Sequence, residues 1–321
     1  MTPDTSLPLV TADNFVSAES DFYFAAAVRQ GGFGRFHHRR DLMPVDQQSI
    51  VRANRDTLYS AAVFDLDAGP LTIALPEAGR DFRSLQVIDM NHHVRAVVYD
   101  AGEHTFTREQ IGTRYVLLGV RTLIDPADPA QIARAHALQD SIAVMQPAQG
   151  EFEVAQWDPV SQANVRGALR ALGATLPDSR GMFGAPDEVE PVRHLIGCAT
   201  AWGGNPERDA LYLTVAPRAN DGQTVHVLQV GEVPLDGFWS ISVYNREGYF
   251  EPNPHGAYTL NNLTAQRDDN GAIRIQFGGD PAAASNWLPI TPGWNYMVRL
   301  YRPHASILNG EWRFPEAQPQ Q

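Results

Sequence analysis

The sequence predicts a mainly β fold, with two β-rich modules bracketing a helical section. Three observations predict it. From Val45 to Val120, short apolar alternations are separated by turn signals at close intervals: Asp67-Ala68-Gly69-Pro70, Pro76-Glu77-Ala78-Gly79 and Asp100-Ala101-Gly102. From Ala210 to the end the same rhythm returns. Between them the period changes to that of helices. Such spacing fits a sandwich or jelly-roll better than alternating βαβ units.

Taken in order, residues 1–10 read as a loose tail. A helix follows from Thr11, with Phe15, Ala18, Phe22 and Ala25 inward and Gly31-Gly32 closing it. Residues 34–40 (Gly-Arg-Phe-His-His-Arg-Arg) read as a basic aromatic loop. The glycine-rich run 31–34 does not follow a strand, so it is a helix exit, not a phosphate loop. Strands are expected over about 56–66, 71–75, 82–90, 94–100, 104–108 and 114–120. Asp128 caps a helix with Pro129 in its first turn and Ile132, Ala135, Leu138 and Ile142 inward. Trp157-Asp158-Pro159 opens a second, with Val165, Leu169 and Leu172 inward. A third follows Asp187 and ends at Gly203-Gly204; its small face, Gly197, Cys198 and Ala201, implies a close neighbour, and His194 points the same way as a structural histidine. His136 reads as a packing or surface residue. Beyond Ala210, Asn220-Asp221-Gly222 and Asn270-Gly271 read as hairpin turns, and Asn295–Tyr301 as the closing strand. The resulting divisions are an arm over 1–44, a β module over 45–124, a helical section over 125–204 and a second β module over 205–321.

Composition narrows the function. A net charge of −12 argues against nucleic acid or an anionic membrane as partner. All 25 basic residues are arginine, which excludes lysine Schiff-base chemistry and a Walker-type phosphate lysine. The single cysteine, Cys198, allows no intrachain disulfide and reads as a buried, inert thiol. No signal peptide or membrane span is read, so the expected compartment is cytoplasmic. The Gly-x-Ser-x-Gly, His-Glu-x-x-His and Cys-x-x-Cys patterns are absent.

Two polar knots remain. Asn54-Arg55-Asp56 sits where a strand apolar on both faces begins, so these groups need partners or a cavity. Asp89, Asn91 and His93 share a face if the strand before them continues. Near the far end, Arg299 and Tyr301 alternate against an apolar face. The candidate catalytic set is Asp56, Tyr59, Asp89, His92, Arg299 and Tyr301, with His93 beside it. A histidine beside a carboxylate is tuned near neutral pH, a tyrosine holds or donates a proton, and a guanidinium clamps an anion. The same residues also suit a wholly structural buried network. His37, His38, His92 and His93 are weak candidates as metal ligands; no cofactor is predicted.

Asn54-Arg55-Asp56-Thr57-Leu58-Tyr59 with Asp65-Leu66, and further on Gly119–Leu123 with Leu138-Gln139-Asp140, resemble a bacterial module known as a domain of unknown function (DUF-1254). Gly237-Phe238-Trp239-Ser240, Val243-Tyr244-Asn245, Asn286-Trp287-Leu288-Pro289, Arg299–Pro303 and Gly310–Pro315 resemble its usual partner module (DUF-1214). The resemblance covers almost the whole chain. It implies an N-terminal β-sandwich and a C-terminal jelly-roll-like sandwich joined by a small helical section. Members often carry a carboxylesterase label, for which this sequence shows no serine motif. Arg55 departs from the small polar residue common there, and many relatives look exported.

The expected function is an enzyme acting on a small polar molecule by acid–base chemistry, with hydrolysis the leading class. The alternative is a non-catalytic ligand-binding or structural β-sandwich protein. A small molecule is the expected partner, and homo-oligomerisation stays open. Because no compact ligand motif is visible, any activity is expected to survive chelation. Stoichiometric zinc, iron or manganese on His37, His38, His92 or His93, found by elemental analysis, would refute this.

Overall fold

Leu71, Ile73 and Leu75 alternate with Thr72 and Ala74, and this period of two puts the three apolar residues on one core face. The same logic builds most of the chain. The computed structural model describes residues 7–48, 51–79 and 81–320; positions 1–6 of the expected N-terminal tail and Gln321 of the C-terminal one lie outside the described residues. The chain divides into two compact units. One takes residues up to Arg40, Leu58–Ile124 and Asp128–Pro206; the other takes Asp41–Thr57, Asp125–Ala127 and Glu207 onward. No helix among the described residues is long and apolar enough to cross a membrane.

The first unit holds β1 (His37–His38), β2 (Thr57–Asp65, less its first residue), β3 (Leu71–Leu75), β4 (Arg83–Asp89), β5 (Val94–Val98), β6 (Gly102–Phe106), β7 (Tyr115–Leu123) and β8 (Ala143–Met145). A five-stranded sheet runs β1-β2-β7-β4-β5 and a three-stranded one β6-β3-β8. Their facing sides enclose Ala62, Phe64, Ile73, Leu85, Val87, Leu118 and their neighbours. The other side of the large sheet is covered by helices α1 (Phe15–Arg29), α4 (Pro159–Gly173) and α5 (Pro191–Thr200): Phe24 packs with Val63 and Ile88, and Phe15 with Val94, Leu169 and Ile196. A strand apolar on both faces is covered on both, as the sequence of β2 requires. Two short helices, α2 (Arg108–Ile111) and α3 (Pro129–Asp140), complete the unit.

Several local expectations change. Two residues of the basic loop, His37 and His38, form strand β1, paired antiparallel with β2. The helical section contributes β8, too short to show periodicity. Helix α1 starts at Phe15, because Asn14 Oδ1 accepts from Thr11 N and holds 11–14 as a turn. Phe22 faces out under the Arg166 guanidinium, and Phe24 takes the inward place. Leu172 is exposed.

The second unit holds β9 (Ala210–Val215), β10 (His226–Val230), β11 (Trp239–Tyr244), β12 (Thr259–Asn261), β13 (Ile273–Phe277), β14 (Trp287–Leu288), β15 (Asn295–Tyr301) and β16 (Gln318–Pro319), with α6 (Ala305–Leu308). Sheets β12-β11-β15-β9 and β14-β13-β10-β16 close on one core around Trp239, Ile241, Phe277, Trp294, Tyr296 and Val298. Neither expected hairpin forms. β9 and β10 lie in different sheets, and Gly222, at φ +79°, packs against Pro292 where the connection crosses over. Asn270-Gly271 leads into β13, whose antiparallel partner is β10.

The close neighbour that the small face of α5 implied is the pair Met182–Phe183. A Cβ added at Gly197 would lie 2.8 Å from Met182 Cβ and 3.1 Å from Phe183 Cε1. Gly197→Leu is therefore expected to cost about 1–3 kcal/mol or more through overpacking, read as a lowered urea midpoint. An unchanged midpoint would sink this account of the helix.

Candidate functional site

On β15, Tyr296, Val298 and Leu300 turn to the core, so Asn295, Arg299 and Tyr301 turn to the opposite face. Strand register places Ser240 of β11 and Tyr212 of β9 beside Arg299, and pairs Ser240 with Asn261 of β12. This outer face is thus polar. Residues 41–48 and 51–57, from the same unit, cover it. Met43, Val45 and Ala53 pack with Tyr244, Phe250 and Tyr258, and Arg55 lies over the Tyr258 ring.

Arg299 is the hub. Its Nη2 donates to Arg52 O at 2.8 Å, Ala53 O at 3.2 Å and Tyr244 Oη at 2.8 Å; Nη1 donates to Ser242 Oγ at 2.8 Å. Tyr244 Oη donates onward to Ala53 O. Thr259 Oγ1 donates to Asp56 Oδ1 at 3.1 Å, Asn54 Oδ1 accepts from Asp56 N, and Asn54 Nδ2 donates to Tyr301 Oη at 3.2 Å. Arg52, at φ +52°, is held by its N–H to Gly248 O and by Nη2 to Asn295 Oδ1. Asp56 and Arg299 are 1% and 3% exposed.

Burial pushes the Asp56 carboxyl up, against the pull of Arg299 and then of Ser240, Thr259 and Asn261. Its Oδ2 is buried with no hydrogen-bond partner among the described residues. For Arg299 burial works against charge, but Tyr244, Tyr301 and Asp56 more than offset it and the pKa is raised. The guanidinium is satisfied by two backbone carbonyls and two hydroxyls, and it acts on Asp56 through its charge, without a direct bond.

Asp89, His92 and His93 belong to the other unit, in the turn between β4 and β5. Asp89 Oδ1 accepts from Asn91 N and His93 N, and Oδ2 lies 3.4 Å from His93 Nδ1 and 3.8 Å from Arg95 Nη1. His92 is wholly buried at φ +61°, and its Nε2 accepts from Gly203 N at 2.9 Å. That bond places the proton of the neutral ring on Nδ1. Burial first, then His194 and His93, holds its pKa well below the ordinary histidine value. Rings stack in a column: Tyr23 on Trp202 at 4.5 Å, Trp202 on His92 at 5.0 Å, His92 on His194 at 5.4 Å, His194 on His93 at 5.0 Å.

Tyr59, also in this unit, lies under the Arg121 guanidinium, which donates to Gln86, Asn205 and Gly203 O. The structure thus brings Asp56, Arg299 and Tyr301 into one network and Asp89, His92 and His93 into another. No group of three or more His, Cys, Asp or Glu side chains fit to hold a metal ion occurs among the described residues. Burial pushes the Cys198 thiol well above its ordinary value.

Sequence reading missed two features. His38 Nδ1 lies 2.7 Å from Ser60 Oγ, opposite it in the β1–β2 register, and Gln139 Nε2 donates to the same hydroxyl at 3.2 Å. Burial, then Arg40, lowers the His38 pKa. Only strand pairing joins residues so far apart. The second is an open cleft of about 460 Å³ in the second unit. Trp239, Val233 and Leu235 supply apolar surface; Glu232, Asn262, Arg267 and Asn270 supply polar surface, beside Gly231, Gly237 and Gly271. No motif marks it, because its lining comes from four separate turns and strand ends.

Comparison with known proteins gives a consistent picture. Residues 33–105 match the family model described as protein of unknown function (DUF1254), and residues 214–305 match protein of unknown function (DUF1214). No curated protein matches the chain. The fold is similar to that of the VPA0106 protein from Vibrio parahaemolyticus, at TM-score 0.70 and 16% identity over 96% of this chain and 98% of that one. It is also similar to an uncharacterized protein from Burkholderia cenocepacia, at TM-score 0.53 and 12% identity over 95% and 87%.

Arg299→Met leaves two carbonyls and two hydroxyls without their donor and takes away the charge that faces Asp56, and is expected to cost about 3–5 kcal/mol in urea denaturation. Wild-type stability would show that the guanidinium serves another purpose. The pH dependence has a defined sign. Asp56 has a folded pKa above its ordinary value of 3.8, so its contribution is full below that value and is lost as pH rises through the folded one. Asp56→Asn should therefore gain on wild type as pH is raised from 4 toward 7; a constant or falling difference would contradict the assignment.

Proposed function

This chain pairs a DUF1254 module with a DUF1214 module, and we propose that it binds a small polar molecule in the open cleft of its second unit. Accessibility carries this reading. Asp56, Asp89, His92 and Arg299 are all 3% exposed or less, and each is engaged by backbone or side-chain partners. A general acid or base has to reach its substrate within hydrogen-bond distance. The bonds these groups make hold turns and covering segments, and the two atoms left without a partner, Asp56 Oδ2 and His92 Nδ1, are buried. The cleft has the size range of small-molecule sites, with an apolar floor and convergent polar groups. Glu232 and Arg267 put opposite charges on its rim, which suits a small molecule with both a donor and an acidic or acceptor group.

The hydrolytic reading has one observation in its favour, the Ser60–His38 contact. Gln139 occupies an acceptor position of the Ser60 hydroxyl, which leaves its proton free to point at His38. This is the arrangement of an activated nucleophile. Yet Ser60 is 1% exposed and Gln139 fully buried, so the binding reading is preferred.

The experiment is a saturation-transfer NMR screen of small polar compounds against the full chain. Binders are expected whose affinity falls about tenfold, equivalent to ~1.4 kcal/mol, in Arg267→Ala and Glu232→Ala. Both side chains are exposed, so folding should survive. Binders indifferent to both changes would reject the cleft. Covalent labelling of Ser60 by a fluorophosphonate would favour hydrolysis instead.

A further inference from the structure

Two polar side chains of the open cleft are committed to backbone partners, and that commitment decides what they offer a ligand. Asn262 follows β12. Its Oδ1 accepts from Trp239 N at 3.0 Å, and its own N–H donates to Trp239 O at 3.2 Å. An amide whose oxygen is engaged in this way presents its Nδ2 as a donor. That Nδ2 has no hydrogen-bond partner among the described residues. Arg267 donates from Nη1 to Gly271 O at 2.8 Å and from Nη2 to Asn262 O at 3.4 Å. These bonds hold the guanidinium beside Asn262 and leave most of its N–H groups unused. Arg267 forms no ion pair among the described residues, so its charge is not cancelled within the chain.

We infer that the cleft takes its ligand by a carboxylate, bound by Asn262 Nδ2 and the Arg267 guanidinium, and that its ligands are small amino or hydroxy monocarboxylic acids. This rests on the binding reading above and names the ligand class. A planar carboxylate matches adjacent N–H donors, and its single charge balances the single cation of the lining. A phosphate dianion leaves one charge uncompensated. It does so beside Glu232, the only acid among the described lining residues, in a chain of net charge −12. Glu232 accepts hydrogen bonds but donates none, so it favours a ligand that also carries an ammonium or hydroxyl group. Trp239 and Leu235 provide apolar surface for the ligand's carbon frame.

The test titrates L-leucine and L-mandelate, each beside its primary amide, into the ¹⁵N-labelled full chain. The side-chain amide of Asn262 and the Nε–H of Arg267 are followed by NMR. Both signals should move with the acids, and the acids should bind at least about tenfold more tightly than the amides. Asn262→Asp keeps an oxygen for Trp239 N but replaces the donor with a second anionic oxygen. It should remove the preference for acids while leaving the melting curve near wild type. If that variant fails to fold, the exposed Arg267→Gln, which removes the charge, carries the same expectation. Amides that bind as tightly as acids and move the same signals would overturn the carboxylate assignment and leave the binding reading standing. Acids that move neither signal at their solubility limit would also overturn it. Whether the cleft binds small molecules at all is decided separately, by the screen of polar compounds.

Discussion

A guanidinium turned onto a covered sheet face has to be surrounded by acceptors. Arg299 finds half of them in one short stretch of chain, at Arg52 O and Ala53 O, with Tyr244 and Ser242 closing the set. Buried arginine without such partners costs several kcal/mol, so segment and strand stabilise each other or neither is stable. The strained φ of Arg52 follows from this demand. The chain turns sharply there to present two successive carbonyls to one Nη2, and Gly248 O and Asn295 anchor the turn. Asp56 is carried in by the same stretch and feels the guanidinium's charge without bonding to it.

Much of this was readable in residues. The alternation of Tyr296, Val298 and Leu300 against Arg299 and Tyr301 fixes which side of β15 is polar, and a buried arginine needs acceptors. Asn54-Arg55-Asp56 at the head of a doubly covered strand announces buried polar groups in need of partners. The helices at Pro129 and Pro159 follow from aspartate caps and first-turn proline chemistry, whereas the third begins at Pro191, beyond the expected Asp187, with no side-chain cap at Glu190. What periodicity cannot show is which strands pair. Asn220-Asp221-Gly222 has hairpin composition, but Asp221 uses its carboxylate on Gln223 N and Thr224 N to shape a crossing between sheets. The contact of His38 with Ser60 exists only through β1–β2 register, and β1 is two residues long. The cleft beside Trp239 is equally silent, since glycine turns and strand ends look alike whether they line a cavity or open water.

The two polar networks solve one problem by different chemistry. In the second unit, charge is kept and surrounded by carbonyl and hydroxyl oxygens. In the first, His92 is stripped of charge by burial and uses its lone pair on Gly203 N, while Asp89 spends one oxygen on two amides of its own turn. Each network fixes a non-glycine residue at positive φ, Arg52 in one and His92 in the other. Such backbone costs of order 1–3 kcal/mol and persists only where surroundings over-determine it.

That over-determination bears on function. Strain and perturbed titration gather at active sites, so Asp56 and His92 satisfy the usual signs of one. Structural networks perturb titration in the same way, and access separates the two cases. A catalytic group keeps one valence aimed at the space where substrate sits. Arg299 gives both Nη atoms to the chain itself, and His92 sits wholly enclosed in a column of rings. Residue types that suggest acid–base chemistry are here the types that make a buried turn unique, because a charged or directional group accepts few alternative packings. The open cleft has the opposite character: glycine turns, exposed Glu232 and Arg267, and apolar surface from Trp239, a member of the sandwich core. Rigid polar networks beneath covering segments, and adaptable polar groups around a solvent-open hollow, are the division of labour expected of a binding scaffold.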